Sequence, residues 1–305
     1  MPSFSRRRFI EGTVVGAGLV ALPFRRVVAA TLTPDIIEVE GTDHKKMVAA
    51  AVEALGGIKQ FVHKGDMVVL KPNAAFANPP DWGTTTHPDT VAAMAQLCLD
   101  AGAKQVLVIE YPQAKGQKCL DRCGLTAAMA LVPGVKVKVL GADDDFKTTK
   151  VQGGVACTST DVAKAVLSAD VLINLPAAKA HTQGIVSFGL KNAMGLIKDR
   201  QAFHTMFDLQ QGIADLNRVI KPQLTIVDAT RALLTNGPAG PGETSNPNRM
   251  IAGRNVVSVD AYSLGVARFN QRQLTVADVP HIALAGKAGL GEVEVAKLKV
   301  KKVTA

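Results

Sequence analysis

Ionisable and amide side chains recur where the chain is otherwise apolar and rich in glycine. The stretch LPAAKAHTQGIVSFGLKNAMGLIKDR, residues 175–200, carries Lys179, His181, Lys191, Asn192 and Lys198 among Gly, Ala, Leu and Ile. A helix built only for packing does not need these groups, and a solvated helix would not carry so many apolar neighbours. Lysine is a point charge with three donors, suited to carboxylate or phosphate. Histidine moves protons near neutral pH. Similar groups follow apolar runs elsewhere: Lys71 and Asn73 in VVLKPN, His204 in AFH, Asp228 in LTIVDA and Asp260 in VVSVDA. The expected site takes Lys179, His181 and Asp228 as catalytic residues. Lys71, Asn73, Lys191, Asn192, His204 and Asp260 bind the ligand. Blander roles are a helix N-cap for Asp260, a surface position for His204 and a solvated helix end for Lys198.

The elements that must position these residues alternate along the chain. Short apolar runs predict strands at Met67–Lys71, Gln105–Glu110, Asp170–Pro176 and Leu224–Ala229, with an alternating run at Val135–Leu140. Amphipathic segments predict helices over His44–Gly57, His87–Lys104, Ser159–Ala169 and Asp208–Ile220. Strands alternating with helices imply an α/β fold, a mainly parallel sheet with helices on both faces in Rossmann-like layering. In open parallel sheets ligands sit beyond the carboxyl ends of the strands. Lys71, Pro72 and Asn73, then Glu110, then Lys179 and His181, then Asp228 each follow or end a predicted strand, so four strands deliver polar groups to one edge. On that layout Lys191, Asn192 and Gly195 lie within a helical turn, with Lys198 on the same face. Gly184, Gly189 and Gly195 let a backbone approach closely and leave amides for an anion. The glycine-rich NGPAGPGE, residues 236–243, reads as a mobile loop or lid over that edge.

Other chemistries fit less well. His181, His204, Asp228 and Asp260 offer nitrogen and oxygen ligands, so a divalent metal stays open, but their spacing forms no metal motif and the nearby lysines would repel a cation. An anionic small molecule therefore ranks first and a metal second. NGPAGPGE has two prolines and no following apolar helix, unlike a phosphate loop, and no G-x-S-x-G occurs. The four cysteines, Cys98, Cys119, Cys123 and Cys157, lack tight C-x-x-C spacing. They read as buried thiols rather than as a disulfide between Cys119 and Cys123.

The chain of 305 residues opens with SRRRFIEG, the uncharged run GTVVGAGLVALPF, Arg25–Arg26 and VVAA. A basic region, a short apolar region and small residues form an export signal, and the arginines before Phe9 and Ile10 match the twin-arginine pattern. Residues 1–30 are the expected signal and 31–305 a single α/β domain. The destination is periplasmic or extracytoplasmic, with the twin-arginine machinery as a partner and no stable membrane span after cleavage. Losing five arginines and Glu11 takes Lys+Arg from 35 to 30 and Asp+Glu from 26 to 25, so the net charge falls from +9 to +5. With one Trp, two Tyr and no basic stripe, nucleic acid is not an expected partner.

VVLKPN, INLPAAKAHTQGIVSFGLKNAMGLIKDR with its following FH, IVDA, NGPAGPGE and VVSVDA resemble, in that order, the bacterial and archaeal family known as domain of unknown function 362. The similarity spans roughly Lys71 to Ala261, and its most specific part is Lys-x-His followed by Lys-Asn-x-x-Gly. The resemblance implies the same fold and pocket residues. Members often carry twin-arginine signals, and some carry a ferredoxin-like module with clustered cysteines. Those clusters are missing from this sequence, so no intrinsic iron–sulfur cluster is expected, and the resemblance implies no particular reaction. The expected function is an exported enzyme acting on an anionic small molecule, with redox or metal chemistry left open. The alternative is a non-catalytic periplasmic ligand-binding or redox-partner protein.

Overall fold

A computed structural model describes residues 33–113 and 116–305. The expected signal over residues 1–30 lies outside them. The described residues form thirteen strands: β1 (Ile36–Glu40), β2 (Met67–Pro72), β3 (Gln105–Glu110), β4 (Val135–Val139), β5 (Phe146–Lys150), β6 (Ser159–Ala163), β7 (Val171–Leu175), β8 (Ala177–His181), β9 (Ile185–Ser187), β10 (Leu224–Leu233), β11 (Thr244–Ser245), β12 (Arg249–Gly253) and β13 (Val300–Thr304). The helices are α1 (His44–Ala54), α2 (Pro88–Asp100), α3 (Gly116–Arg122), α4 (Leu125–Ala130), α5 (Lys164–Leu167), α6 (Gly189–Asn192), α7 (Arg200–Thr205), α8 (Leu209–Leu216), α9 (Val256–Ser263) and α10 (Pro280–Lys287).

The main sheet runs β13-β1-β12-β10-β7-β2-β3-β4. Strands β10, β7, β2, β3 and β4 are parallel neighbours, and β12 is antiparallel to both β10 and β1. The α/β reading with a mainly parallel sheet therefore holds, with one antiparallel insertion. Apolar residues of each strand alternate between two cores. Val68, Leu70, Val106, Val108, Ile173 and Ile226 join the core with α1 and α2, while Val69, Leu172 and Val227 join the one with α6, α8, α9 and α10. Helices thus cover both faces. From β2 the chain steps through β3 to β4 in one direction. It later steps from β7 to β10 in the other. The direction reverses between β2 and β7, where Lys71 pairs in register with Asn174, and at such a point the flanking loops diverge and leave a crevice.

Two expectations fail on tertiary pairing. Ser159–Ala163 is a strand, antiparallel to β5, and only Lys164–Leu167 is helical; the Thr160–Val162 alternation found a hairpin partner that local helix signals do not reveal. The run after β7 is not a loop either. Beyond Pro176 the chain continues as β8, which pairs with β10 and turns back into β9. Among the described residues no helix is long and apolar enough to cross a membrane.

Candidate functional site

Because side chains alternate along a strand, Lys179 and His181 on β8 project to the same side, and the register sets Lys179 opposite Ser187 of β9. The turn into α6 then brings Lys191 and Asn192 back over the carboxyl ends of β2 and β7. The three glycines of this stretch mark the close approaches. An added methyl on Gly195 would lie 2.6 Å from both Glu110 Oε1 and Lys71 Cε, and one on Gly189 would lie 2.9 Å from Asp260 Oδ1. The expectation that their amides stay available fails at two of them. Gly184 N–H donates to His181 Nδ1 at 3.0 Å, and Gly189 N–H to Asp260 Oδ1 at 2.8 Å.

The floor of the site is a buried polar network. Lys71 Nζ pairs with Glu110 Oε2 at 2.8 Å and also donates to the Pro72 carbonyl. Ala74 N–H and Tyr111 N–H donate to the same carboxylate at 2.7 and 2.9 Å. Asn192 stitches the switch point together: its Nδ2 donates to Lys71 O at 3.1 Å and Asn174 Oδ1 at 2.8 Å, while its Oδ1 accepts from Asn73 Nδ2 at 3.3 Å. The amides of Asn73 and Asn192 are thus committed to the scaffold. Burial holds the Lys71 ammonium below its ordinary range, and Glu110 opposes that shift.

Above the floor lies a cleft of about 60 Å³. Lys179, Lys191, Arg200, His181, His204 and Ser187 line it, with Phe76 and Pro238 as walls. Glu110 is the one carboxylate among the lining residues, and Lys71 already matches it. Lys179 and Lys191 form no ion pair among the described residues. Lys179 Nζ donates to Asn73 Oδ1 at 3.1 Å and to Thr84 O, and lies 4.7 Å from the centre of the Phe76 ring. Among the described residues the one hydrogen-bond partner of Lys191 Nζ is the Met194 thioether, at 3.1 Å. Burial lowers each amine to about 7. Lys191 and Lys71 add to the shift at Lys179 while Glu110 opposes it, and Arg200 adds to the shift at Lys191. Arg200 stacks on Tyr111 at 4.2 Å and donates to the Tyr111 and Pro112 carbonyls.

The two histidines differ. His181 Nδ1 accepts an amide proton, so the neutral ring carries its proton on Nε2. Burial, with Lys191 and Lys179 adding, drives its pKa down to about 2. It is therefore a neutral donor and not the proton carrier expected from sequence. His204 is only partly buried. Its Nδ1 meets Gln183 Oε1 at 2.5 Å, which leaves Nε2 unprotonated on the neutral ring. Burial, then Lys191 and Arg200, lowers its pKa. The rings lie parallel, 6.2 Å apart.

Both aspartates fall elsewhere. Thr225 is level with Asn174, so Asp228, three residues further on, points to the opposite face. It accepts from His87 N–H at 3.0 Å and Thr90 Oγ1 at 2.8 Å, both of the α2 segment, and from Thr230. Asp260 is not an N-cap of its own helix. It sits inside α9 and receives Gly189 and Leu190 N–H, each at 2.8 Å, at the start of α6. Burial raises its pKa to about 7 against those two donors. The four proposed metal ligands therefore do not converge. Among the described residues no group of three or more His, Cys, Asp or Glu side chains forms a metal-holding cluster.

Lys198 leaves the site as well. The α-helix gives way to a 3-10 turn after Asn192, and Lys198 pairs with Asp143 at 2.9 Å. NGPAGPGE walls the cleft through Pro238 and is tied down at both sides: Thr182 N–H donates to Gly237 O, and Asn78 Nδ2 to Ala239 O at 2.8 Å. Sequence reasoning passed over Arg200, which read as a helix end, and left Glu110 as a strand terminus; the apolar run before Glu110 was its signal. A larger groove of about 780 Å³ beside Tyr262 has its charges paired, with Glu38 held by Arg249, Lys302 and Tyr262.

Comparison with known proteins places the chain among the following matches. The family model "Domain of unknown function (DUF362)" matches residues 68–265. The thylakoid-associated protein sll1697 of Synechocystis sp. is 28% identical over 258 residues, covering 78% of this chain and 73% of that protein. The solved lactate racemase apoprotein of Thermoanaerobacterium thermosaccharolyticum superposes with a TM-score of 0.44 at 10% identity, over 69% of this chain and 54% of that one.

Proposed function

The chain belongs to the domain of unknown function 362 family, whose description names no reaction, and from the cleft itself we propose that it binds a small anionic metabolite, a carboxylate or phosphate, and acts on it as an enzyme. One observation carries the reading. Lys179, Lys191 and Arg200 face the cleft, and among the described residues no carboxylate is left to match positive charge on them, because the one lining carboxylate is already paired with Lys71. Buried cations without counter-charges are costly, and an anion seated among them removes that cost. The cleft volume suits roughly four to six non-hydrogen atoms, judged against the space one water occupies. Lys179, Lys191 and Arg200 bind the anion, His181 donates a hydrogen bond through Nε2–H, and His204 Nε2 accepts the proton.

A charge-assisted hydrogen bond contributes about 1.5–3 kcal/mol, so losing one costs roughly tenfold to a hundredfold in affinity. Calorimetric titration of the purified protein with phosphate and with pyruvate is expected to show that loss in Lys179→Met. Equal affinity in wild type and variant would refute the reading. A non-catalytic binding protein would use the same cations, and the neutral His181 favours it. Replacing His204 by Gln separates the two, since a binder keeps affinity and function while an enzyme keeps affinity and loses turnover. Export by the twin-arginine route belongs to the proposal and rests on residues 1–30.

A further inference from the structure

The three lysines of the site are held in different ways. Lys71 has a carboxylate and Lys179 has two oxygen acceptors beside an aromatic ring, arrangements that suit an ammonium. Lys191 has a thioether, a weak acceptor, and is buried on the cleft wall with Arg200 and His204 as fellow lining residues. Among the described residues no oxygen acceptor holds the protons of Lys191 Nζ, and of the three lysines it is the one whose nitrogen is not engaged by a carboxylate, amide or carbonyl oxygen. We infer that Lys191 is an iminium-forming amine whose substrate is a small 2-oxo acid, the carboxylate held by Lys179 and Arg200. This rests on the reading of the cleft as an anion site. Burial and Arg200 lower Lys191 to about 7, so a fraction of it is neutral amine at neutral pH, and desolvation beside another cation is a known means of activation.

The step balances as follows. The Lys191 Nζ lone pair forms an N–C bond to the keto carbon, and the C=O π pair moves to oxygen. That oxygen takes a proton from solvent, and the nitrogen, made cationic by the new bond, gives one up to His204 Nε2, which lines the same cleft. A second proton, returned by His204, lets the carbinolamine oxygen leave as water. Amine, 2-oxo acid and one proton thus become iminium and water, with no change of oxidation state. His181 Nε2–H is placed among the lining groups as a hydrogen-bond donor to the departing oxygen.

The test is reductive trapping. Purified protein is incubated with pyruvate or glyoxylate and borohydride, and its intact mass and peptide masses are read. With pyruvate, one chain is expected to gain the mass of one pyruvic acid less one oxygen atom, mapped to Lys191. Lys191→Arg should lose the adduct. Peptide mapping of the wild-type protein gives the same answer without any variant, so a folding defect does not block the test. No adduct with either oxo acid, or an adduct spread over other lysines, overturns the inference. Phosphate and pyruvate binding measured in parallel separates the two ideas: binding without trapping defeats only the iminium step, whereas neither binding nor trapping defeats the anion cleft too.

Discussion

The Lys71–Glu110 pair anchors the switch point, and its loss has a calculable consequence. Both side chains are about 1% exposed, the contact is 2.8 Å, and the carboxylate also receives two backbone amides. Glu110→Gln keeps the shape but turns one acceptor oxygen into an NH2 group. On the Oε2 side that group would face the Ala74 amide and the Lys71 ammonium, both donors. Breaking one side of a buried pair costs about 3–5 kcal/mol because a charge is left uncompensated. Against a typical domain stability of about 5–15 kcal/mol, that is a large fraction. Denaturant unfolding at pH 7 should therefore show a midpoint far below wild type. Lys71→Met combined with Glu110→Gln should cost less than the sum of the single changes, by about 2 kcal/mol or more, since the two side chains share one interaction. Raising the pH should also narrow the Glu110→Gln deficit, because Lys71, already lowered by burial, can then shed its proton. A cost under about 1 kcal/mol for Glu110→Gln, or strict additivity in the double variant, would refute the reasoning.

Gly195→Ala forces a methyl to within 2.6 Å of Lys71 Cε and Glu110 Oε1; overpacking of this kind costs about 1–3 kcal/mol, and a thermal melt with an anion titration should show lower stability and weaker binding together. Lys191, about 7 when folded against about 10.4 unfolded, gives stability a pH slope. Between those values the unfolded chain holds a proton the folded chain lacks, so stability rises by about 1.4 kcal/mol per pH unit, and the slope disappears below about 7, where both states are protonated. Unfolding curves of Lys191→Met from pH 7.5 to pH 9 should be flatter than wild type by about that amount. Replacing Arg6 and Arg7 with lysine should leave the uncleaved precursor inside the cell, as read by fractionation and blotting.

The strands that build the site were legible because buried parallel strands are short apolar runs, and β2, β3, β7 and β10 read that way. What one strand's sequence does not contain is its register against a neighbour. Lys71, Asn174 and Asp228 all look like strand-end polar groups, yet the pairing of Thr225 with Asn174 sends Asp228 to the face covered by α2. Asp260 misled for a related reason. A carboxylate inside an apolar helix signals a buried partner, but that partner, the start of α6, lies 71 residues away in sequence. Lys179 and His181 were placed correctly beyond β7, though on a strand and not a loop, because the pairing of β8 with β9 depends on a turn that local pattern does not announce. Arg200 was hidden by its surroundings, since Lys198, Asp199 and Arg200 together look like a solvated helix end. Its stacking on Tyr111 and its hydrogen bonds to the Tyr111 and Pro112 carbonyls set Arg200 apart.

Anomalous diffraction from crystals grown with selenate, an anion of phosphate's shape, addresses the cationic cleft directly. The expected result is a selenium peak placing selenate oxygens within hydrogen-bond distance of Lys191 Nζ and of a second cation, Lys179 or Arg200. A fully occupied selenate elsewhere, with that volume filled only by water, would contradict it.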